Sequence, residues 1–343
     1  MKSDRNRLLI VAVVLAVFLA SLGTSVFLVS DALSQAYSPE RALTDYFAAE
    51  ARGDAKGMAS NATFLHGDSS SAGMFGEKAL VAMTAVKANQ DLKSVQIRSA
   101  RVIDDATRIV TVSMIWHGTQ RTSTYTVRKD RTRVHYFVYH SWRVDIPYVT
   151  ITLNLPLQPG PLLLDTLPVG SPASAPIQAI QGFHQVTMGG NFLYDSSTQL
   201  VDGSAGDASA TFAEQLSAAA SAAVVAGVKA GFSNCDPTMY LCYSHTYNSP
   251  GQAGYIYSIT LPGYGDVTYS SYTVSMTSDP TATMTVLVSN QAGIVNVSGP
   301  CADTMTVDGS RKYNLKGKFT GALTWSNGAF VASLNWNCET SPA

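Results

Sequence analysis

The sequence predicts an α+β protein: a transmembrane helix, then a helices-on-antiparallel-sheet domain, then a disulfide-bonded, mainly β domain with one alanine-rich helix. Three observations carry this reading. There is an uncharged apolar run from Leu8 to Val29, a change from helical to alternating periodicity after Asn89, and four cysteines that all fall in the second half of the 343-residue chain.

The apolar run is 22 residues long. As a helix it would extend about 33 Å, enough for the roughly 30 Å hydrocarbon core of a bilayer. Lys2, Arg5 and Arg7 precede it against Asp4 alone, so the positive-inside bias keeps residues 1–7 in the cytoplasm and sends the chain beyond Ser30 outside. Ser34-Gln35-Ala36 resembles a small-residue cleavage site. A leader's apolar region is only about 7 to 15 residues, however, so the run is read as retained. The bilayer is then the first partner, through residues 8–29, and the protein is a single-pass cell-membrane protein whose working part is extracytoplasmic.

Charged residues make up 14% of the chain, below the roughly 25% usual for soluble domains. From Ser38 to Thr150 there are 15 Lys and Arg against 11 Asp and Glu, a net of +4; from Ile151 to Ala343 there are 5 against 11, a net of −6. Two domains of opposite sign are implied, 37–146 and 147–343, with the border near Pro147. Neither balance gives the basic stripe that nucleic acid requires, and nucleic acid is excluded as a partner.

In the first domain, Ser38-Pro39-Glu40-Arg41 offers an N-cap with proline at N1, and Leu43, Tyr46 and Phe47 follow at helical spacing before Gly53 ends the run. Shorter helices are expected around 55–60 and 76–89. Four strands follow: Leu92 to Val102, Thr107 to Trp116, Thr122 to Lys129 and Arg133 to Val144. Their turns fall at Asp104-Asp105, His117-Gly118 and Lys129-Asp130-Arg131.

The second domain opens with six prolines between Pro156 and Pro176, the mark of a stiff connector or of interrupted edge strands. A weak strand pair lies between Ile177 and Tyr194. Thr211-Phe212-Ala213-Glu214 reads as a capping box opening an alanine-rich helix to Lys229, with Gly231 after it. The small side chains of that helix suit close packing on a sheet. From Gly254 onward the chain is strand and turn, with breaks at Pro262-Gly263, Ser278-Asp279-Pro280, Asn290, Gly299-Pro300 and Asp308-Gly309. Asn327-Gly328 predicts a two-residue hairpin turn that sets Ser326 opposite Ala329, Trp325 opposite Phe330 and Phe319 opposite Trp336.

Outside the cell, Cys235, Cys242, Cys301 and Cys338 read as two disulfides. Three pairings are possible. Cys235 with Cys242 and Cys301 with Cys338 is the preferred one. A metal site built on Cys235, Cys242 and His245 lacks a fourth ligand and tight paired spacing, so no metal and no cofactor is expected.

The opening Ala42-Leu43-Thr44-Asp45-Tyr46-Phe47-Ala48-Ala49-Glu50-Ala51-Arg52-Gly53-Asp54 and the closing Ser141-Trp142-Arg143-Val144 resemble a known pattern. It is that of the nuclear-transport-factor-two-like (cystatin-like cone) domains on uncharacterised single-pass membrane proteins of actinobacteria. The stretch from Ala222-Ala223-Val224-Val225 through Asn234-Cys235 to Cys242 resembles the C-terminal half of the same proteins, although Cys242-Tyr243 replaces their usual Cys-Pro. The resemblance implies a cavity between helices and sheet and supplies no reaction.

A proton-abstracting site there would need a carboxylate or histidine facing the cavity. Asp45 and Tyr46 on the first helix, and His135 and His140 on the last strand, are the candidates. The histidines, five apart on an extended strand, fall on opposite faces. No catalytic residue is assigned. Arg121, Arg128, Lys129, Arg131 and Arg133 form a candidate contact for anionic lipid head groups or a polyanionic wall polymer, or else a charged edge that resists aggregation. Tyrosines at 240, 243, 247, 255, 257, 264, 269 and 272 suit sugar rings, or a half-buried sheet. The reading is a non-enzymatic envelope protein that docks another membrane or wall component. The alternative is a binding module for wall glycan or a small envelope ligand, using the tyrosine-rich domain or the cone cavity.

Overall fold

Ser38 starts the first helix as expected: its side chain accepts from the Arg41 amide at 3.1 Å, with Pro39 at the first helical position. Helix α1 (Pro39–Ala51) is followed by α2 (Ala55–Asn61), β1 (Ala62–Phe64), α3 (Glu77–Thr84) and α4 (Lys87–Gln90). Four long strands come next: β2 (Leu92–Val102), β3 (Thr107–Trp116), β4 (Thr119–His135) and β5 (Tyr139–Ile146). This computed structural model describes residues 32–65, 76–135, 139–169, 176–233, 244–248, 257–261, 264–269 and 271–337. The protein is α+β, mostly strand with few helices.

The chain divides into two compact units. Among the described residues, the first holds those up to 154 together with 161–188 and 198–211, and the second holds 155–160, 189–197 and those from 212 on. The expected border near Pro147 therefore falls inside the first unit. Strands β6 (Tyr148–Asn154), β7 (Leu162–Leu164), β8 (Leu167–Pro168), β9 (Ile177–Ile180), β10 (Phe183–Met188), β11 (Ser197–Asp202) and β12 (Ala208–Thr211) form two small sheets, β11-β10-β7-β8 and β12-β6-β9. The join to the helices is made by Asn89, which is fully buried. Its amide donates to the carbonyls of Met83 (2.9 Å) and Phe183 (2.7 Å), and its oxygen accepts from the Phe183 N–H at 2.7 Å.

The main sheet of unit 1 has the order β1-β5-β4-β3-β2, antiparallel except for the β1–β5 pair. Strands β2 and β3 have the predicted bounds. The expected turn at Lys129-Asp130-Arg131 is not one. Strand β4 runs on to His135 through an irregularity between Asp130 and Val134, where Asp130 accepts from the Thr132 amide (2.9 Å) and hydroxyl (2.6 Å). An aspartate that satisfies the backbone two residues on mimics a turn signal inside a bulged strand.

Unit 2 is built on α5 (Ala218–Ser233) and the strands β13 (Ser244–Asn248), β14 (Tyr257–Leu261), β15 (Gly265–Tyr269), β16 (Ser271–Met276), β17 (Thr285–Val288), β18 (Ile294–Val307), β19 (Arg311–Ser326) and β20 (Ala329–Asn337). The last hairpin has the predicted register, Ser326 opposite Ala329 through Phe319 opposite Trp336, with Asn327 and Gly328 at φ +50° and +81°. The break expected at Gly299-Pro300 does not occur. Proline survives there because β17 pairs with β18 only as far as Ser298 and β16 begins at Asp303, so the missing N–H faces a gap between two partners.

The expected capping box at Thr211 is also absent, since Thr211 ends β12. The helix begins at Ser217, whose hydroxyl accepts from the Ala220 amide at 3.0 Å. Gly231 lies inside α5 rather than after it. With Gly227 it sets how close the helix comes to β20: a Cβ on Gly227 would sit 2.8 Å from the Phe330 carbonyl oxygen, and one on Gly231 2.8 Å from Leu334. Phe232 then meets Phe319 edge-on at 5.2 Å. Gly227→Val should cost unit 2 about 1–3 kcal/mol by overpacking, whereas Ala226→Val on the exposed side of α5 should change little. Urea melts followed by tryptophan fluorescence check both.

Candidate functional site

The face of α1 that carries Leu43, Tyr46, Phe47 and Glu50 is turned to the sheet, and all four residues are at most 1% exposed. Phe47 stands edge-on to three rings: Tyr46 (5.1 Å), Tyr125 of β4 (5.5 Å) and Trp116 of β3 (6.4 Å). Interlocked rings thus occupy the space in which a cavity was expected. Asp45, the expected cavity carboxylate, is instead half-buried on the outer side of the helix and paired with Arg41 at 3.0 Å.

The carboxylate that does face inward is Glu50, one turn beyond Tyr46. Neither of its oxygens has a hydrogen-bond partner. Burial pushes its carboxyl well above the usual range, so Glu50 is held as the neutral acid. The Tyr46 hydroxyl is raised by burial, then by Glu50 and Tyr125; that of Tyr125 is raised by burial, then by Glu50. Trp116 Nε1 is likewise buried without an acceptor. A neutral acid among two phenols and an indole can donate a hydrogen bond or shuttle a proton, but the surrounding rings leave it enclosed. Sequence reading overlooked Glu50 because it took the more exposed neighbour. The helical spacing Leu43, Tyr46, Phe47, Glu50 was the signal that placed it on the buried stripe.

A second buried pair lies in the same unit. His184 Nδ1 is 2.6 Å from Asp165 Oδ2, and both residues are under 5% exposed. Asp165 Oδ1 accepts from the Gln185 amide at 2.7 Å, and His184 Nε2 meets the Ile180 carbonyl at 2.7 Å. A carbonyl only accepts, so Nε2 donates to Ile180 and Nδ1 is the ring nitrogen turned to the carboxylate. With both ring nitrogens occupied the pair cannot serve a nucleophile. It clamps the β7–β8 turn, whose Asp165 and Thr166 are at positive φ, onto β10. A cavity of about 10 Å³ beside it has room for one water-sized sphere.

His135 and His140 are on two strands, not one. His135 is opposite Tyr139 and His140 opposite Val134, so they still face opposite ways. His135 Nε2 lies 2.9 Å from the Ser141 hydroxyl.

The five cations do not form one patch. Arg121 and Arg133 are 12 residues apart on β4, about 30 Å even with the bulge after Asp130. Arg121 is bound to Asp202, and Arg128 to Asp145 at 2.6 Å. Lys129 and Arg108 lie over the Trp142 ring at 5.6 and 5.3 Å. Arg133 reaches the Ser60 carbonyl at the end of α2 (3.4 Å) and Asp130 (3.7 Å), while Arg131 is exposed.

In unit 2, Cys301 is buried on β18. Cys235, Cys242 and Cys338 lie outside the described residues, among which there is no disulfide and no cluster of metal-ligating side chains. Asn337 lies opposite Lys318, and Lys318 opposite Pro300, so β19 intervenes. Two strand spacings are roughly 9.6 Å, so a Cys301–Cys338 bridge requires the chain to leave this register after Asn337. Of the eight tyrosines, Tyr240, Tyr243 and Tyr255 lie outside the described residues. Tyr247 and Tyr257 pair across strands with Tyr272 and Tyr269, and Tyr264 stands edge-on to Tyr313 at 5.1 Å. Asp303, on the buried face of β18, has no partner for either oxygen, and burial pushes its carboxyl up to about 7.

The chain matches no family model, no curated protein and no solved structure.

Glu50 and Asp303 have a shared consequence. Their folded values lie above the unfolded ones, so the stability tied to each is fully present below about pH 4 and is lost as pH rises, for Asp303 through about 7. Glu50→Gln and Asp303→Asn, which mimic the neutral acids, should each flatten the fall in stability between mildly acid and mildly alkaline buffer, read by thermal melts across pH. Asp165→Ala should lower the stability of unit 1 by about 3–5 kcal/mol, since it strands one partner of a buried pair; denaturant melts measure the loss.

Proposed function

We propose that the protein is a membrane-anchored, extracytoplasmic docking protein of the cell envelope, non-enzymatic, held to the bilayer by residues 8–29 and stabilised outside by disulfides among its four cysteines. The observation that carries the docking reading is the ring packing of Phe47 with Tyr46, Tyr125 and Trp116, which fills the interior that a cone-domain enzyme or ligand carrier would keep open. This reading therefore looks to the outer surfaces. Unit 2 offers a shallow groove of about 440 Å³ on its exposed sheet face, lined by Leu287, Asn296, Ser298, Thr320, Ala322 and Ser333. Short, uncharged, hydroxyl- and amide-bearing side chains suit an envelope protein strand or a wall polymer better than a charged metabolite.

Among the described residues no helix is long and apolar enough to cross a membrane, and residues 8–29 lie outside them. The anchor therefore rests on the 22-residue uncharged run and the cations before it. Protease added to intact cells should remove the chain beyond Ser30 while alkaline carbonate leaves it in the membrane pellet. Release by carbonate, or full protection from protease, would overturn the proposal. Cross-linking in intact cells should then join Asn296 or Thr320 variants bearing a photo-reactive side chain to an envelope component, and silence at both positions would argue against docking through this face.

A further inference from the structure

Residues 32–36 form a helical turn that delivers Tyr37 to the end of the β4–β5 hairpin. The Tyr37 ring lies flat on His135 at 4.5 Å and 18°, with Tyr139 at 5.9 Å and 25°. This three-ring stack fixes where the chain enters unit 1. If residues 8–29 span the bilayer, as proposed above, Tyr37 follows the last apolar residue by eight positions, a reach of about 12 Å as helix and about 28 Å extended. The helical turn holds it toward the shorter figure, within a few ångströms of the head-group layer, which adds about 5–7 Å to each side of the hydrocarbon.

The side chains at that end fit the location. Arg131 is exposed, Arg133 keeps 51% of its side chain exposed despite its contacts, and Val134 is 48% exposed. Asp130, the acid just before them, spends one oxygen on the Thr132 amide and hydroxyl and turns the other to Arg133. Asp104 and Asp105 stand at the β2–β3 turn, which is level with Lys129 because the Lys129 amide bonds Ala106. The hairpin continues about 10 Å past them, because the bulge pairs the six residues from Lys129 to His135 with only three of β5, Trp142 to Tyr139. The cations thus lie beyond Asp104 and Asp105, with Asp130 the acid at their own level. Stacked aromatic rings beside arginines at the foot of a membrane span are the composition of the bilayer interface.

We infer that the outer end of the β4–β5 hairpin rests on the bilayer surface, with Arg131 and Arg133 against anionic lipid head groups and the Tyr37–His135–Tyr139 stack at the interface. The inference depends on the anchor, and the experiment separates the two. Full-length protein is reconstituted in vesicles of phosphatidylglycerol with phosphatidylcholine, with p-benzoylphenylalanine at Val134 or, as control, at Ile115 near the β3–β4 turn at the opposite end of the sheet. The expected result is flotation with the vesicles, lipid photo-adducts at 134 and few at 115. Arg131→Ala should reduce the preference for phosphatidylglycerol adducts about fivefold, the equivalent of one near-surface cation, with thermal melts unchanged. Flotation with equal adducts at both positions overturns the inference and spares the anchor. Adducts at 134 as abundant in pure phosphatidylcholine overturn the assignment to anionic head groups. Failure to float overturns the anchor and the inference with it.

Discussion

Unit 1 depends on Phe47. A helix can close over a curved antiparallel sheet only if its inward side chains fill the gap, and one ring at the middle of α1 does so by meeting a helix neighbour and two strands edge-on. Edge-to-face geometry places the electropositive rim of one ring on the electronegative face of the next, and each such pair adds about 0.5–1.5 kcal/mol to the burial itself. The same filling determines the fate of Glu50. An ionised carboxylate there would lose its hydration with nothing in return, so the packing that stabilises the helix holds the acid neutral.

The small sheets of unit 1 join it through buried polar groups as well as through Ile180 and Phe183, which belong to the same apolar core. Asn89 spends three hydrogen bonds inside the protein, two of them on the backbone of a residue 94 positions away, and Phe183, so placed, lays its ring against Trp116 at 5.7 Å. His184 and Asp165 then fix the β7–β8 turn to the following strand. Such buried bonds lose more when broken than they contribute when made, because the abandoned partner stays dry. They specify which segments belong to the unit, which explains why residues 161–188 pack with the first helices although a proline-rich stretch precedes them.

The legible parts of the sequence were those where local chemistry and long-range packing agree. Asn327-Gly328 fixes a hairpin because positive φ at both positions is cheap for these residues, and the register follows from the turn alone. Strands β2 and β3 are bounded by turns that need no distant partner. The failures share a cause. Thr211 to Glu214 has the letters of a capping box, but β12 pairs in parallel with β6 and claims Thr211 as strand, leaving Ser217 to cap the helix. Asp130 and Pro300 look like breaks, yet each satisfies its backbone locally or faces a gap that only the assembled sheet creates. The border at Pro147 followed a change in charge, and charge sign is a property of surfaces, not of which strands pair.

The cations show the same limit from the side of function. Five basic residues within 13 positions read as one patch, but an extended strand spreads them over tens of ångströms and each end meets different neighbours. Arg121 and Arg128 are consumed by carboxylates, and Arg133 in part by the carbonyl end of α2, where the helix dipole favours a positive charge. Arg128 also stays largely exposed beside Asp145, but Arg131 and Arg133 stand at the far end of β4, the end that Tyr37 ties to the chain's entry point. Surface charge therefore acquires meaning from which cations the fold leaves over and what stands beside them. At this hairpin the remainder lies next to stacked aromatic rings and an exposed valine, a mixture that water alone does not favour and that a head-group layer, both charged and partly apolar, accommodates.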